Sequence, residues 1–123
     1  MTHIDHPYEI IFYKKVNATC PIQDFLDSLE LKLRAKALRL ILLLEQNGNN
    51  LREPYSKYLD DGLFELRIKQ GSNIIRIIYF YITGSKIILT NGFVKKTLKL
   101  PRKELHLAKI YRADYLERSN THE

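Results

Sequence analysis

The segment spanning residues 63–90 constrains the fold most, because it contains three consecutive strand patterns joined by short turns. The strands are predicted at residues 63–69, 74–83 and 86–90. Each connection contains a glycine, Gly71 or Gly84, within a short polar turn sequence. Strands that follow one another with connections this short pair as antiparallel neighbours, so this part of the chain predicts a β-meander.

Apolar and polar residues alternate in the first of these strands, and this alternation predicts which side chains lie on each face. Phe64, Leu66 and Ile68 point to one side, and the intervening residues Glu65, Arg67 and Lys69 point to the other. The apolar side belongs to a core. We therefore expect Arg67 to face away from the elements that cover that core.

The rest of the chain predicts two helices before the meander and one after it. The predicted elements are a strand at residues 8–13, helices at 22–29, 31–47 and 101–118, and a short irregular strand at 55–59. Cys20 is the predicted N-cap of the first helix, with Pro21 at its first position, and Asn47-Gly48 ends the second. The apolar run at residues 40–44 predicts a largely buried second helix.

Together these elements predict one α+β domain over residues 1–123. Two N-terminal helices pack on one face of a twisted antiparallel sheet of about four strands. The C-terminal helix packs on part of the other face, and the remainder of that face stays open. This open area is where the polar side of the meander would be displayed.

Positive charge is concentrated in the second half of the chain. Residues 1–61 hold 8 Lys/Arg and 9 Asp/Glu, whereas residues 62–123 hold 12 and 5, and the whole chain carries +6. Such asymmetry favours a polyanionic or acidic partner. A single cysteine, no apolar run of about 20 residues and no signal peptide predict a cytoplasmic protein without membrane contact.

A basic segment follows the third strand of the meander. Asn91-Gly92 predicts a bend, Phe93 follows it, and then come the cations Lys95, Lys96, Lys99, Arg102 and Lys103. An aromatic ring beside clustered cations is suited to single-stranded nucleic acid. Two alternatives stay open: the lysines can form a solvated turn, and Phe93 can fill the core instead of stacking on a base.

Arg67 and Arg76 are the strongest candidates for contact with a phosphate. They lie on successive strands about 4.8 Å apart, so their guanidinium groups can converge on one phosphate and bind it bidentately. Arg76 also interrupts an otherwise apolar run, where an unpaired buried charge is costly. The alternative is an arginine paired with Glu65 or with an aspartate across the strands.

Tyrosines and one further lysine are weaker candidates. Tyr79 can donate a proton or stack, although core packing explains it as well, and Lys57 and Tyr58 are candidate RNA contacts. The histidines and the cysteine have no metal-ligand spacing, so we expect no metal and no cofactor. RNA cleavage would then use the 2′-hydroxyl of the RNA as nucleophile, with cations stabilising the phosphoryl charge.

Several segments resemble the phage-derived HigB-like branch of the RelE/ParE toxin superfamily, over residues 8–115. The segments are Pro54-Tyr55-Ser56-Lys57-Tyr58-Leu59, Gly62-Leu63-Phe64-Glu65-Leu66-Arg67-Ile68, Arg76-Ile77-Ile78-Tyr79-Phe80, Leu89-Thr90-Asn91-Gly92-Phe93-Val94-Lys95-Lys96-Thr97 and Pro101-Arg102-Lys103-Glu104-Leu105. Two differences from the family are Cys20, where a serine-like cap is usual, and the lack of a histidine at the site.

The resemblance implies a toxin of a type II toxin–antitoxin system. Such a toxin is a metal-independent endoribonuclease that cuts mRNA on the ribosome and is held inactive by an acidic or helix-turn-helix, HigA-like antitoxin. Arg67, Arg76, Lys95 and Lys96 match the basic residues of the family, while the general acid and base stay unassigned. A ParE-like gyrase inhibitor without nuclease activity and a non-catalytic RNA-binding module are the alternatives.

Overall fold

The structure is a computed structural model that describes residues 8–95 and 101–121. Its elements are β1 (Glu9–Phe12), α1 (Pro21–Ser28), α2 (Leu31–Asn47), a 3-10 turn (Gly48–Asn50), β2 (Ser56–Asp60), β3 (Leu63–Gln70), β4 (Asn73–Ile82), β5 (Lys86–Lys95) and α3 (Arg102–Thr121). The predicted order of strands and helices is confirmed. Within the two described ranges, no helix is long and apolar enough to cross a membrane.

The sheet has five strands in the order β1-β5-β4-β3-β2, and it is mixed. The prediction of about four antiparallel strands was therefore wrong in its detail. β2 to β5 form the expected meander, but β1 pairs in parallel with β5, with Ile10 opposite Ile87. Because β2 occupies the outer edge of β3, the outer edge of β5 is left for the N-terminal strand, which runs parallel to β5 there.

β5 continues past Asn91-Gly92, where the sequence predicted a bend. Asn91 pairs with Ile78 and Leu89 pairs with Tyr79, so Thr90 is the extra residue of a β-bulge. Gly92 allows β5 and α1 to pack closely, because a Cβ atom at this position would lie 2.5 Å from Cδ2 of Phe25 on α1. The bulge re-aims the strand without ending it, and the strand extends to Lys95.

Each face of the sheet buries its own core. On one face, α1 and α2 cover the apolar side of β3 with residues such as Leu26, Leu44 and Leu66. On the other face, α3 packs over β4 and β5, where Ile78, Phe80 and Ala108 are buried. This arrangement of helices confirms the predicted layers, and α3 covers only part of its face.

The run at residues 40–44 is less buried than predicted. Ile41 and Leu44 lie in the core, whereas 47% of Leu42 is exposed. Consecutive residues of a helix point about 100° apart, so five apolar residues in a row cannot all face one sheet. The same outer face of α2 also exposes Leu31 and Leu38.

Candidate nucleic-acid interface

Three of the predicted site residues, two arginines and a phenylalanine, form one row across the sheet, which we call the arginine row. Arg67 on β3 lies directly opposite Arg76 on β4, and Arg76 lies opposite Phe93 on β5. Neighbouring strands are about 4.8 Å apart, so this register brings the two arginines together as expected. The row lies on the face that carries α3, near the end of the sheet from which β3 turns into β4.

The carboxylate of Glu65 holds both arginines. Its Oε1 lies 3.2 Å from Nη1 of Arg76, and its Oε2 lies 3.3 Å from Nε of Arg67. The side chains of Glu65 and Arg76 are 1% and 2% exposed, so this pair is buried. The pairing with Glu65 left open by the sequence is therefore present. Two arginines and one carboxylate still leave an excess of one positive charge.

Arg67 is the member of this cluster that reaches solvent, with 19% of its side chain exposed. It binds Glu65 through Nε, and within residues 8–95 and 101–121 its two terminal nitrogens make no hydrogen bond. These nitrogens are the donors that grip phosphate oxygens in a bidentate arrangement. Glu65 thus fixes the orientation of a guanidinium whose outer edge is available to an anion.

Lysines surround the arginine row on the same face. Lys57 on β2 is exposed and pairs in register with Glu65, and Lys69 is exposed two residues beyond Arg67. Lys95, at the end of β5, is half-buried and pairs with Ile74. Lys69 was absent from the predicted site, although its alternation with Arg67 in the strand was a sufficient signal. The face is thus cationic around Arg67.

Phe93 and Asn91 connect this cluster to α3. Phe93 is 9% exposed and packs in the core under α3, which is the second of the two predicted interpretations. Nδ2 of Asn91 donates to the backbone oxygen of Glu104 at 3.2 Å and to its Oε1 at 3.0 Å. These bonds hold the first turn of α3, where Arg102 and Lys103 are exposed. The anchoring role of Asn91 was missed because the sequence predicted a bend there.

The two tyrosines predicted for the site lie on the opposite face of the sheet. Tyr79 is fully buried in the core beneath α1 and α2, where its hydroxyl hydrogen-bonds with that of Ser56, and burial raises its pKa. Tyr58 contacts Phe64 edge to face, with ring centroids 5.2 Å apart. The structure does not bring Tyr79 or Tyr58 to the arginines, because side chains alternate between faces along β4 and β2.

Two predicted contacts, Lys96 and Lys99, lie outside the described residues. Among the residues that the structure does describe, no group of three or more His, Cys, Asp or Glu side chains could hold a metal ion.

Comparison with known proteins gives one informative result. A family model described as "Phage derived protein Gp49-like (DUF891)" matches residues 24–112, which include most of α1, α2, β2 to β5 and half of α3. A comparison with curated proteins found no match. The matched range contains Glu65, Arg67 and Arg76 together with the lysines around them.

Proposed function

Because the chain belongs to the phage-derived Gp49-like family, whose members are toxin-like proteins of toxin–antitoxin systems, we propose that it is a toxin that cuts mRNA on the ribosome. Within the family we assign it to the HigB-like branch of the RelE/ParE superfamily. The observation that supports nuclease activity most strongly is the solvent-facing edge of Arg67, oriented by Glu65 within a cationic face.

The proposed reaction needs no nucleophile from the protein. The RNA 2′-oxygen attacks the adjacent phosphorus, the bond from phosphorus to the 5′-oxygen breaks, and the products carry a 2′,3′-cyclic phosphate and a 5′-hydroxyl. Arg67 would bind the phosphoryl oxygens as negative charge develops on them. Arg76, buried beside Glu65, would add positive charge behind it and hold the carboxylate in place.

In this proposal, lysine side chains around Arg67 on the cationic face assist proton transfer. Lys57 is exposed in the strand beside Glu65, and Lys95 ends β5 on the same face. Either ammonium group can donate a proton to the departing 5′-oxygen, and the proton of the 2′-hydroxyl passes to water. Lys96 is proposed to contact the reacting phosphate together with Lys95, whereas Lys99, Arg102 and Lys103 are proposed to contact RNA outside it.

The proposed partners follow from the charge and from the family. The excess of positive charge in residues 62–123 is suited to ribosomal RNA and to an acidic antitoxin. We propose a cognate antitoxin, acidic or of the helix-turn-helix, HigA-like type, that blocks the toxin. Action on ribosomes would place the protein in the cytoplasm.

Inducible expression with and without the neighbouring gene tests this function. We expect growth arrest without that gene, relief with it, and new mRNA 5′-ends at fixed codon positions. A DNA-damage response without mRNA cuts would instead indicate a ParE-like gyrase inhibitor. Growth arrest with intact mRNA and without DNA damage would indicate a non-catalytic RNA-binding module.

A further inference from the structure

A cavity of about 150 Å³ lies at the edge of the sheet next to the arginine row. The ladder between β2 and β3 begins at the pair Ser56–Leu66, so the last residues of β3 extend beyond β2. The backbone N–H of Arg67 still donates to the carbonyl oxygen of Tyr55 at 2.8 Å, which holds the chain before β2 against that edge. The space beyond this bond is the cavity.

The lining of the cavity combines apolar and cationic side chains. Leu40 on α2 and Ile68 on β3 are apolar, and Pro54 and Tyr55 close one side. The ring of Tyr55 is 47% exposed although it borders this apolar surface. An exposed aromatic ring above an apolar floor offers a stacking surface for another flat ring.

Three basic residues, Lys36, Arg67 and Lys69, line the cavity, and none of its lining residues in the described chain is acidic. The side chains of Arg67 and Lys69 leave β3 towards the face of α3, so the cavity lies at the sheet edge between the two faces. Nζ of Lys36 donates to the backbone oxygen of Lys69 at 2.6 Å. This hydrogen bond fixes the ammonium group of Lys36 at the cavity wall. A ligand suited to such a lining carries a flat apolar ring and a negative charge. A nucleotide has both, whereas an acidic peptide segment lacks the ring unless it supplies an aromatic side chain.

The size of the cavity limits what enters it. Its volume is several times the share of about 30 Å³ that one molecule takes in liquid water. It is also below the roughly 300 Å³ at which pockets for drug-sized ligands begin. One planar ring system fits this range, while a ring with its sugar and phosphate does not. The sugar and phosphate would therefore lie outside, at the sheet edge beside Arg67.

We propose that this cavity is a nucleobase-binding subsite that stacks one base of a single-stranded RNA on Tyr55 while Lys36, at the cavity wall, binds the attached phosphate. The inference rests on the proposed function, since it names how the same RNA substrate is held. It adds Tyr55, Leu40 and Lys36, none of which the sequence assigned to the site. The subsite would set the position of the neighbouring phosphate relative to the guanidinium of Arg67.

Titration of the full chain with adenosine 5′-monophosphate, uridine 5′-monophosphate and inorganic phosphate, followed by NMR, tests the subsite. We expect both nucleotides to shift the methyl signals of Leu40 and Ile68, and phosphate alone to leave them in place. Tyr55→Ala should raise Kd about tenfold, within the range known for base stacking on an aromatic ring, and Tyr55→Phe should not. Lys36→Ala should weaken binding, whereas Lys86→Ala, which alters an exposed lysine at the start of β5, should not.

The proposal is wrong if phosphate alone produces the same shifts, or if Tyr55→Ala binds both nucleotides as tightly as the unchanged protein. Mapping of mRNA ends with Tyr55→Ala separates this failure from failure of the proposed function. If the chain cuts mRNA and Tyr55→Ala cuts it equally well at the same codon positions, the nuclease assignment stands and the subsite does not. If nucleotides bind as described but mRNA stays intact, the subsite stands and the nuclease assignment does not.

Discussion

Arg67 and Arg76 face each other across neighbouring strands, and the buried carboxylate of Glu65 binds both guanidinium groups. The two arginines are not equivalent, because Arg76 is 2% exposed and Arg67 is 19% exposed. One arginine therefore belongs to the fold and the other is presented at the surface.

Glu65→Gln should destabilise the protein by about 3 kcal/mol, because it removes the charge that balances Arg76 in the interior. Chemical denaturation at pH 7 measures the effect. Asp60→Asn is the matched control, since Asp60 pairs with Lys109 at 3.4 Å and both are exposed. We expect this exposed pair to contribute less than about 1 kcal/mol. Equal losses in the two variants would contradict a structural role for the buried carboxylate.

Tyr13 should make stability depend on pH above about 10. Burial, followed by the hydrogen bond that its hydroxyl donates to Asp114 at 2.6 Å, raises the pKa of Tyr13 from 10.0 to about 12. Because the pKa of Tyr13 is higher in the folded protein, the unfolded chain loses the phenolic proton at a lower pH than the folded protein does. The contribution of Tyr13 is therefore complete below pH 10 and is lost as the pH rises towards 12.

The measurement compares the unchanged protein with Tyr13→Phe by denaturation at several pH values. The difference in unfolding free energy should be constant from about pH 7 to about pH 9, below the range in which tyrosine ionises. It should then decrease between pH 10 and pH 12, because a phenylalanine side chain cannot ionise. The other tyrosines are common to both proteins and cancel in the difference. A difference that stays constant to pH 12 would show that Tyr13 titrates normally.

Gly92→Ala should destabilise the protein by about 2 kcal/mol, because the added methyl group overlaps the ring of Phe25. Phe25→Ala removes that ring, so the loss from Gly92→Ala should be smaller in the double variant. Urea denaturation of the four proteins completes the cycle. If the two losses were simply additive, the close contact between β5 and α1 would not be the reason for a glycine here.

Cys20→Ser should stabilise the protein by about 0.5 kcal/mol, because serine is a far better N-cap than cysteine. Cys20 already has extended backbone geometry as the N-cap of α1, but its side chain makes no capping hydrogen bond. Thermal unfolding under reducing conditions measures the gain. Cys20→Ala, which also lacks a capping oxygen, should not show it, and equal stability of the serine and alanine variants would refute the explanation.

Local pattern was sufficient to predict most of the fold. The alternation around Arg67 correctly placed its side chain on the face of α3, and Gly48 ended α2 as expected. The position of β1 beside β5 was not predictable, because it depends on which edge of the sheet is vacant after the meander forms. The prediction of a bend at Asn91-Gly92 was wrong because this dipeptide is a strong turn signal. The contact with Phe25 that explains Gly92 is distant in sequence.

The site was also only partly predictable, because some of its contacts join residues that are distant in sequence. Arg76 stood out as a charge within an apolar strand, and Glu65 was already a candidate partner. Tyr79 was assigned to the site from its chemistry, but the alternation along β4 places it in the opposite core. The cavity beside Tyr55 combines a helix, a strand edge and a loop, so no single segment of sequence carries its signal.

Cleavage of mRNA on purified, programmed ribosomes tests the central claim most directly. The unchanged protein should cut the mRNA at fixed codon positions, and Arg67→Ala should cut about 100-fold more slowly, as expected when a donor to a developing oxyanion is removed. Lys32→Ala should cut at the unchanged rate, and circular dichroism should show both variants folded. Intact mRNA with the unchanged protein, or full activity in folded Arg67→Ala, would contradict the assignment of Arg67 as the phosphate-binding group of an mRNA endoribonuclease.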